Sequence, residues 1–232
     1  MAGNFEYTGT ELLEILEEAK NYNRYLAKLV VSNAPPKNDK VILLDIGAGI
    51  GTFAEMLRND GFFVKCVEID EKQREIVEQK GFLTADNIDK IEDNSIDFIY
   101  SLNVLEHIGN DKSELEIWLK KLKSGGKIFI YVPAFMILFS SLDREVCHSR
   151  RYRKEPLVKM FGDLGLKVKN CKYADSLGFL AALVYKMINK NGKLTSNSVK
   201  FYDKIVFPIS KILDLAFNGI FGKNVWIVGE KI

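Results

Sequence analysis

An open α/β sheet wound with helices on both faces is the fold class predicted for this chain. Three observations predict it. Apolar runs of strand length alternate with amphipathic stretches of helical length across residues 41–173. The first run, 41–46, leads into a turn with glycine at Gly47, Gly49 and Gly51. The second, 63–69, finishes among carboxylates, Glu68 and Asp70. A buried parallel strand, a tight turn into a helix and a second strand ending in acids form the frame on which such sheets hold a nucleoside-bearing ligand.

The elements follow in order. Residues 10–31 have helical periodicity with acids early, and the loop 34–39 with Pro35 and Pro36 ends it. The continuous apolar run 41–46 is a strand buried on both faces. Residues 52–59 form a helix stopped at Asp60 and Gly61, 63–69 the second strand, and 71–79 a helix stopped by Gly81. Short strands follow at 82–85 and 95–102, then a helix at 112–122, a turn at 124–126 and a fifth strand at 127–132 closed by Pro133. Residues 155–161 are helical and 166–173 extended; 177–189 and 197–217 are amphipathic helices, and 224–230 is a last strand. No repeat or linker interrupts the pattern. Residues 1–232 are therefore expected as one domain, with a lead-in helix at 8–33, a core at 40–173 and 223–231, and a helical insertion at 174–218.

Composition narrows the partners. The formal charge of +2 gives no global field toward nucleic acid or membrane. Cys66, Cys147 and Cys171 form no CxxC pair and read as reduced thiols, which points to a cytoplasmic protein. The acidic N-terminus has no apolar signal core, and no apolar run reaches the roughly 18 residues of a membrane span.

The glycine turn admits three cofactor readings. A phosphate loop requires a lysine after its last glycine, and Thr52 stands there. A dinucleotide turn requires its third glycine at that same position. The observed GxGxG, preceded by Asp45, resembles the first motif of class I S-adenosylmethionine (SAM) dependent methyltransferases. Three further segments carry the resemblance: Glu68 at the end of the second strand, Thr84-Ala85-Asp86-Asn87 after the third, and Ser101-Leu102-Asn103-Val104-Leu105-Glu106-His107-Ile108 after the fourth. The lead-in around Tyr22, residues 132–157 and the C-terminal FGKNVWIVGEKI are similar to a bacterial and archaeal subgroup often found with enzymes of glycan or lipid-linked sugar synthesis.

The resemblance implies a Rossmann-like sheet of seven strands in the order 3-2-1-4-5-7-6, the last antiparallel, with SAM as cofactor and S-adenosylhomocysteine (SAH) as product. It implies cofactor contacts from Asp45, Gly47, Ala48, Gly49 and Gly51, and from Glu68 and Ile69, with Glu68 on the ribose. It places Asp86 and Asn87 at the adenine, and Ser101, Leu102, Asn103, His107 and Tyr22 elsewhere around the cofactor. Glu68 and Asp70 would also serve as helix caps, Asp45 as a strand-end acid that bonds turn amides, and Tyr22 as packing. A nicotinamide-dependent oxidoreductase and a non-catalytic scaffold that binds a protein partner are the rival readings.

Methyl transfer needs in-line geometry and, for a hydroxyl acceptor, a base; it needs no metal. His148 is the general-base candidate and Asp143 its orienter, with Arg151 and Tyr152 toward the acceptor; ion pairs that brace a loop are the alternative. Arg150, Arg151, Arg153 and Lys154 form a basic cluster that would either clamp an anion or face solvent. Cys147 and His148 lack further ligands at zinc spacing. The acceptor is expected to be a small or lipid- or sugar-linked molecule, sugar-like by the subgroup resemblance alone, methylated at oxygen, and the chain a monomer or homodimer. The apolar sets in 177–188 and 205–217 would cover the sheet; a lipid-linked substrate, a peripheral membrane face and a dimer contact are the other readings.

Overall fold

The computed structural model describes residues 10–188 and 195–232. Two short helices lead in, α1 (Thr10–Glu17) and α2 (Lys20–Asn33). The alternating core follows: β1 (Ile42–Ile46), α3 (Thr52–Asn59), β2 (Phe63–Val67), α4 (Glu71–Gln79), β3 (Leu83–Ala85), β4 (Ile96–Leu102), α5 (Asp111–Lys121) and β5 (Leu122–Pro133). After β5 come α6 (Ser141–Glu145), α7 (Lys154–Asp163), β6 (Leu166–Ala174) and α8 (Ser176–Ile188). The chain closes with α9 (Ser196–Phe201), a π-helical turn (Tyr202–Val206), α10 (Phe207–Phe217) and β7 (Asn224–Lys231). Residues 8–9 of the expected lead-in and Asn189 of the expected eighth helix lie outside the described residues.

The strands form one sheet in the order β3-β2-β1-β4-β5-β7-β6. The first five are parallel, and β7 runs antiparallel to both β5 and β6. Successive strand residues face opposite sides, so each strand feeds two cores. Leu44, Ile99 and Ile130 join the cluster under α5 and α7, whereas Leu43, Phe98 and Phe129 join the one under α2 and α3. Burial on both faces explains why β1 reads as an unbroken apolar run.

The lead-in departs from the single helix that periodicity predicts. It breaks at Glu18 and Ala19, and the new N-terminus is capped from far away: the Asp203 carboxylate accepts the amides of Asn21 and Tyr22 at 3.0 and 2.8 Å. The insertion is fastened in the same manner. Asp214 accepts the amides of Asp175 and Ser176 at the start of α8. The buried Asp175 in turn accepts Tyr202 Oη and Ser210 Oγ and pairs with Lys223 at 3.0 Å.

The insertion corrects one expectation. The apolar residues of 205–217 were to cover the sheet, but only Phe207 of that set is buried; Ile205, Ile209, Ile212 and Leu215 face outward. The inward stripe is largely polar, because its task is to cap other helices.

Candidate functional site

Parallel strands end together on one side of the sheet, and the glycine turn lies there. Gly47, Gly49 and Gly51 have φ of 75°, 58° and 82°, values that L side chains rarely adopt. Gly47 and Ala48 donate their amides to Val67 O at the end of β2, which ties the turn to the next strand. A Cβ on Gly47 would lie 2.3 Å from Val104 Cγ2, so the turn and the segment after β4 approach as only glycine permits.

Two buried carboxyls flank this turn. Glu68 accepts Gly49 N–H at 2.7 Å and Asp70 N–H at 2.9 Å. Burial raises its pKa, and those two amides oppose the shift. Burial likewise pushes Asp45 up to about 8, with the Tyr100 hydroxyl opposing and Glu68 adding to the rise. Ser101 Oγ donates to Ile46 O, and Asn103, at φ 56°, donates its amide to Tyr131 O. Leu102 is half-buried beside them. α1 lies across the turn: Leu13 Cδ1 would be 3.1 Å from a Cβ on Gly49, Glu17 accepts Thr52 Oγ1–H at 2.7 Å, and Gln73 donates to Thr10 Oγ1.

The outer expected contacts are engaged in other ways. Asp86 pairs with Lys90 at 2.8 Å, and Asn87 caps the turn Ile88–Lys90 by accepting Asp89 N–H. Ile69 is 78% exposed, which sets its side chain outside the buried wall that Glu68 helps form. Tyr22 is half-buried against the core: its hydroxyl bonds Tyr131 Oη and Asn224 Nδ2, and its ring meets Phe207 edge-on.

The acceptor segment brings its histidine and acid together. His148 Nδ1 lies 2.8 Å from Asp143 Oδ1, and Arg151 grips both Asp143 oxygens at 2.8 and 3.0 Å. Ser140 N–H completes the shell. Burial would raise the Asp143 pKa, but His148 and Arg151 outweigh it and hold the carboxyl well below the usual range. An ionised Asp143 accepts the Nδ1 proton, which leaves Nε2 of His148 as the basic nitrogen.

Arg151 and Tyr152, expected toward the acceptor, both make bonds within the chain. Tyr152 Oη donates to Leu105 O and Asp111 Oδ2. Within the basic cluster, Arg150 pairs with Asp111 at 2.9 Å and Arg153 lies over the Phe135 ring.

Sequence reasoning missed Glu106. It is fully buried, both of its carboxyl oxygens are without a hydrogen bond, and Oε1 is 3.6 Å from His148 Nε2. Burial pushes it up to about 8. The rings of His107 and His148 meet edge-to-face at 4.7 Å, and His107 is lowered to about 4, by burial first and then by His148. One ligand atom from each of Glu106, His107 and His148 falls within 4.8 Å of the others, a spacing that could hold a divalent ion. The signal in the sequence was an acid beside a histidine, with nothing to say that it was buried.

Glu106 gives a pH prediction. Unfolded, it ionises near its ordinary 4.5; folded, it keeps its proton to about 8, so its contribution is fully present below 4.5 and lost as pH rises through 8. Glu106→Gln should therefore gain on the wild type by about 5 °C or more in melting temperature between pH 5 and pH 9. A gap that stays constant across those melts would refute the assignment.

Residues 18–169 match the pattern of a family described as a methyltransferase domain. The chain belongs to that methyltransferase family. It has the class I SAM-dependent fold, with the strand order that the sequence resemblance implied. A SAM-dependent methyltransferase from Thermotoga maritima superposes with a TM-score of 0.65 at 19% identity, over 98% of each chain. A geranyl diphosphate C-methyltransferase from Streptomyces coelicolor does so with 0.65 at 13% identity, over 99% of this methyltransferase and 86% of that chain. A mitochondrial ubiquinone biosynthesis O-methyltransferase from Dictyostelium discoideum is 29% identical over 136 residues. That match covers 50% of this methyltransferase and 41% of the Dictyostelium protein, so the chain spans well under two thirds of its curated relative.

The residues present fit the family's cofactor. The turn allows backbone approach, and the buried Glu68 and Asp45 offer acceptors beside it.

Proposed function

We propose that this methyltransferase moves the methyl group of SAM to a hydroxyl oxygen of a small or lipid-linked acceptor in the cytoplasm, releasing SAH. SAM supplies an electrophilic methyl on a sulfonium. The glycine turn from Gly47 to Gly51 would hold its methionine end with Asp45, Glu68 would accept its ribose hydroxyls, and Asp86 with Asn87 would lie toward its adenine. Ser101 and Leu102 end the central strand β4 and Asn103 follows it, where ligands of open α/β sheets gather.

The observation that carries the choice of oxygen is the bond between His148 Nδ1 and Asp143. It fixes one tautomer and leaves Nε2 able to take the proton of an attacking hydroxyl. Arg151 holds Asp143 in place, so the imidazole keeps its orientation through the reaction. The relatives supply the class of acceptor by analogy: the Dictyostelium protein is an O-methyltransferase of ubiquinone biosynthesis.

Calorimetry with SAH and with NADH tests the donor; heat from NADH alone would overturn the proposal. For the acceptor side, His148→Ala should leave SAH affinity near wild type while transfer to a hydroxyl acceptor falls by about 10²-fold or more. Unchanged turnover would reduce His148 to a brace.

A further inference from the structure

The helix from Ser196 to Phe217 is inverted relative to an ordinary surface helix. Its buried stripe is Val199, Asp203, Phe207, Ser210 and Asp214, one side of the helix at spacings of three and four. Three of those five are polar, and each is bonded inward. Asp203 takes the amides of α2, Ser210 joins Asp175 to the Leu177 amide, and Asp214 caps α8. The outward side carries Phe201, Ile205, Ile209, Ile212 and Leu215, at 49–84% exposure. Soluble surface helices show the opposite arrangement.

Charge on the same segment is one-sided. Residues 176–223 hold seven lysines and two acids, a balance of +5 against +2 for the whole chain, so the other residues sum to −3. The two acids are Asp203 and Asp214, both buried in the inward stripe. No acid of the described residues 195–223 is exposed, whereas Lys204 and Lys211 are. Lys200 pairs with Glu18 and Lys223 with Asp175, so Lys204 and Lys211 are the exposed lysines that flank the apolar side among the described residues 195–223.

The face continues toward the acceptor side. Leu180 and Val184 of α8 are exposed beside α10. Lys186 of α8 donates to Ile137 O at 2.8 Å, and Met136 and Ile137, which precede His148, are more than half exposed.

We infer that this face docks on an anionic lipid bilayer. Its apolar side chains would enter the acyl boundary while the lysines meet the headgroups. Each basic residue near such a surface adds attraction that salt screens. A second copy of the chain fits less well: a two-fold contact through this face would bring lysines from both copies together with no exposed acid of residues 195–223 to offset them. The inference goes beyond methyl transfer and does not depend on it.

The test uses the full chain with phosphatidylcholine vesicles, with and without phosphatidylglycerol. The protein should sediment with the anionic vesicles, and added salt should release it. Ile212→Glu with Leu215→Glu should cut binding about tenfold or more, while the melting temperature and SAH affinity stay at wild-type values. A wild type that ignores anionic vesicles would overturn the inference. So would a double variant that binds them equally, or a dimer in light scattering that the double variant splits while vesicles bind neither. SAH calorimetry on the same samples reads the methyl-transfer proposal separately.

Discussion

Glu68→Ala is expected to lose SAH affinity by about 10³-fold, because two hydrogen bonds to an ionised carboxylate, each worth roughly 1.5–3 kcal/mol, go together. The side chain is buried at the end of β2 and now accepts the amides of Gly49 and Asp70, so its removal also frees the turn it braces. Glu68→Gln keeps one acceptor oxygen and should fall by only about tenfold. Calorimetric titration with SAH measures both. Equal affinities for the wild type and the alanine variant would remove Glu68 from the cofactor site, and with it the reading of the glycine turn.

Asp143→Ala should be the most destabilising of the substitutions considered. It strands the Arg151 guanidinium and the His148 Nδ1 proton in a largely buried setting, at a cost of about 3–5 kcal/mol. For a domain of this size that lowers the melting temperature by about 6–20 °C. The pH dependence has a definite sign. The folded pKa of Asp143 is depressed, so its stabilisation is present above the unfolded value of about 4 and is lost as pH falls through the folded one. The gap between wild type and variant should hold above about pH 5 and close in stronger acid. Melts across that range decide it; a drop below about 2 °C at neutral pH would show that the Asp143–Arg151 pair contributes little.

The parts legible in the sequence are those whose signals are local. Helices α3 and α4 begin and end where the glycine turn, Asp70 and the stop glycines say, because cap, periodicity and breaker lie within one turn of each other. The strands were found because burial on both faces leaves a continuous apolar run. The break between α1 and α2 was not legible: its cap is Asp203, on a helix more than 180 residues later. The inverted stripe was misread for the same reason. An acid that caps a distant helix looks, in one dimension, like an acid facing water. At the site, the glycine turn and the family resemblance pointed to the cofactor side, whereas the partners of Arg151 and Tyr152 and the burial of Glu106 depend on packing between residues 8–47 positions apart.

The eight residues of α1 lie across the glycine turn without burying one of their own side chains. They are held by Leu13 against Gly49, by the Glu17–Thr52 and Gln73–Thr10 bonds and by Asn23 Nδ2–H donating to Leu16 O, and the chain bends behind them at Glu18 and Ala19. Under the proposed function, a helix placed there would stand beside the path by which the donor reaches the glycine turn.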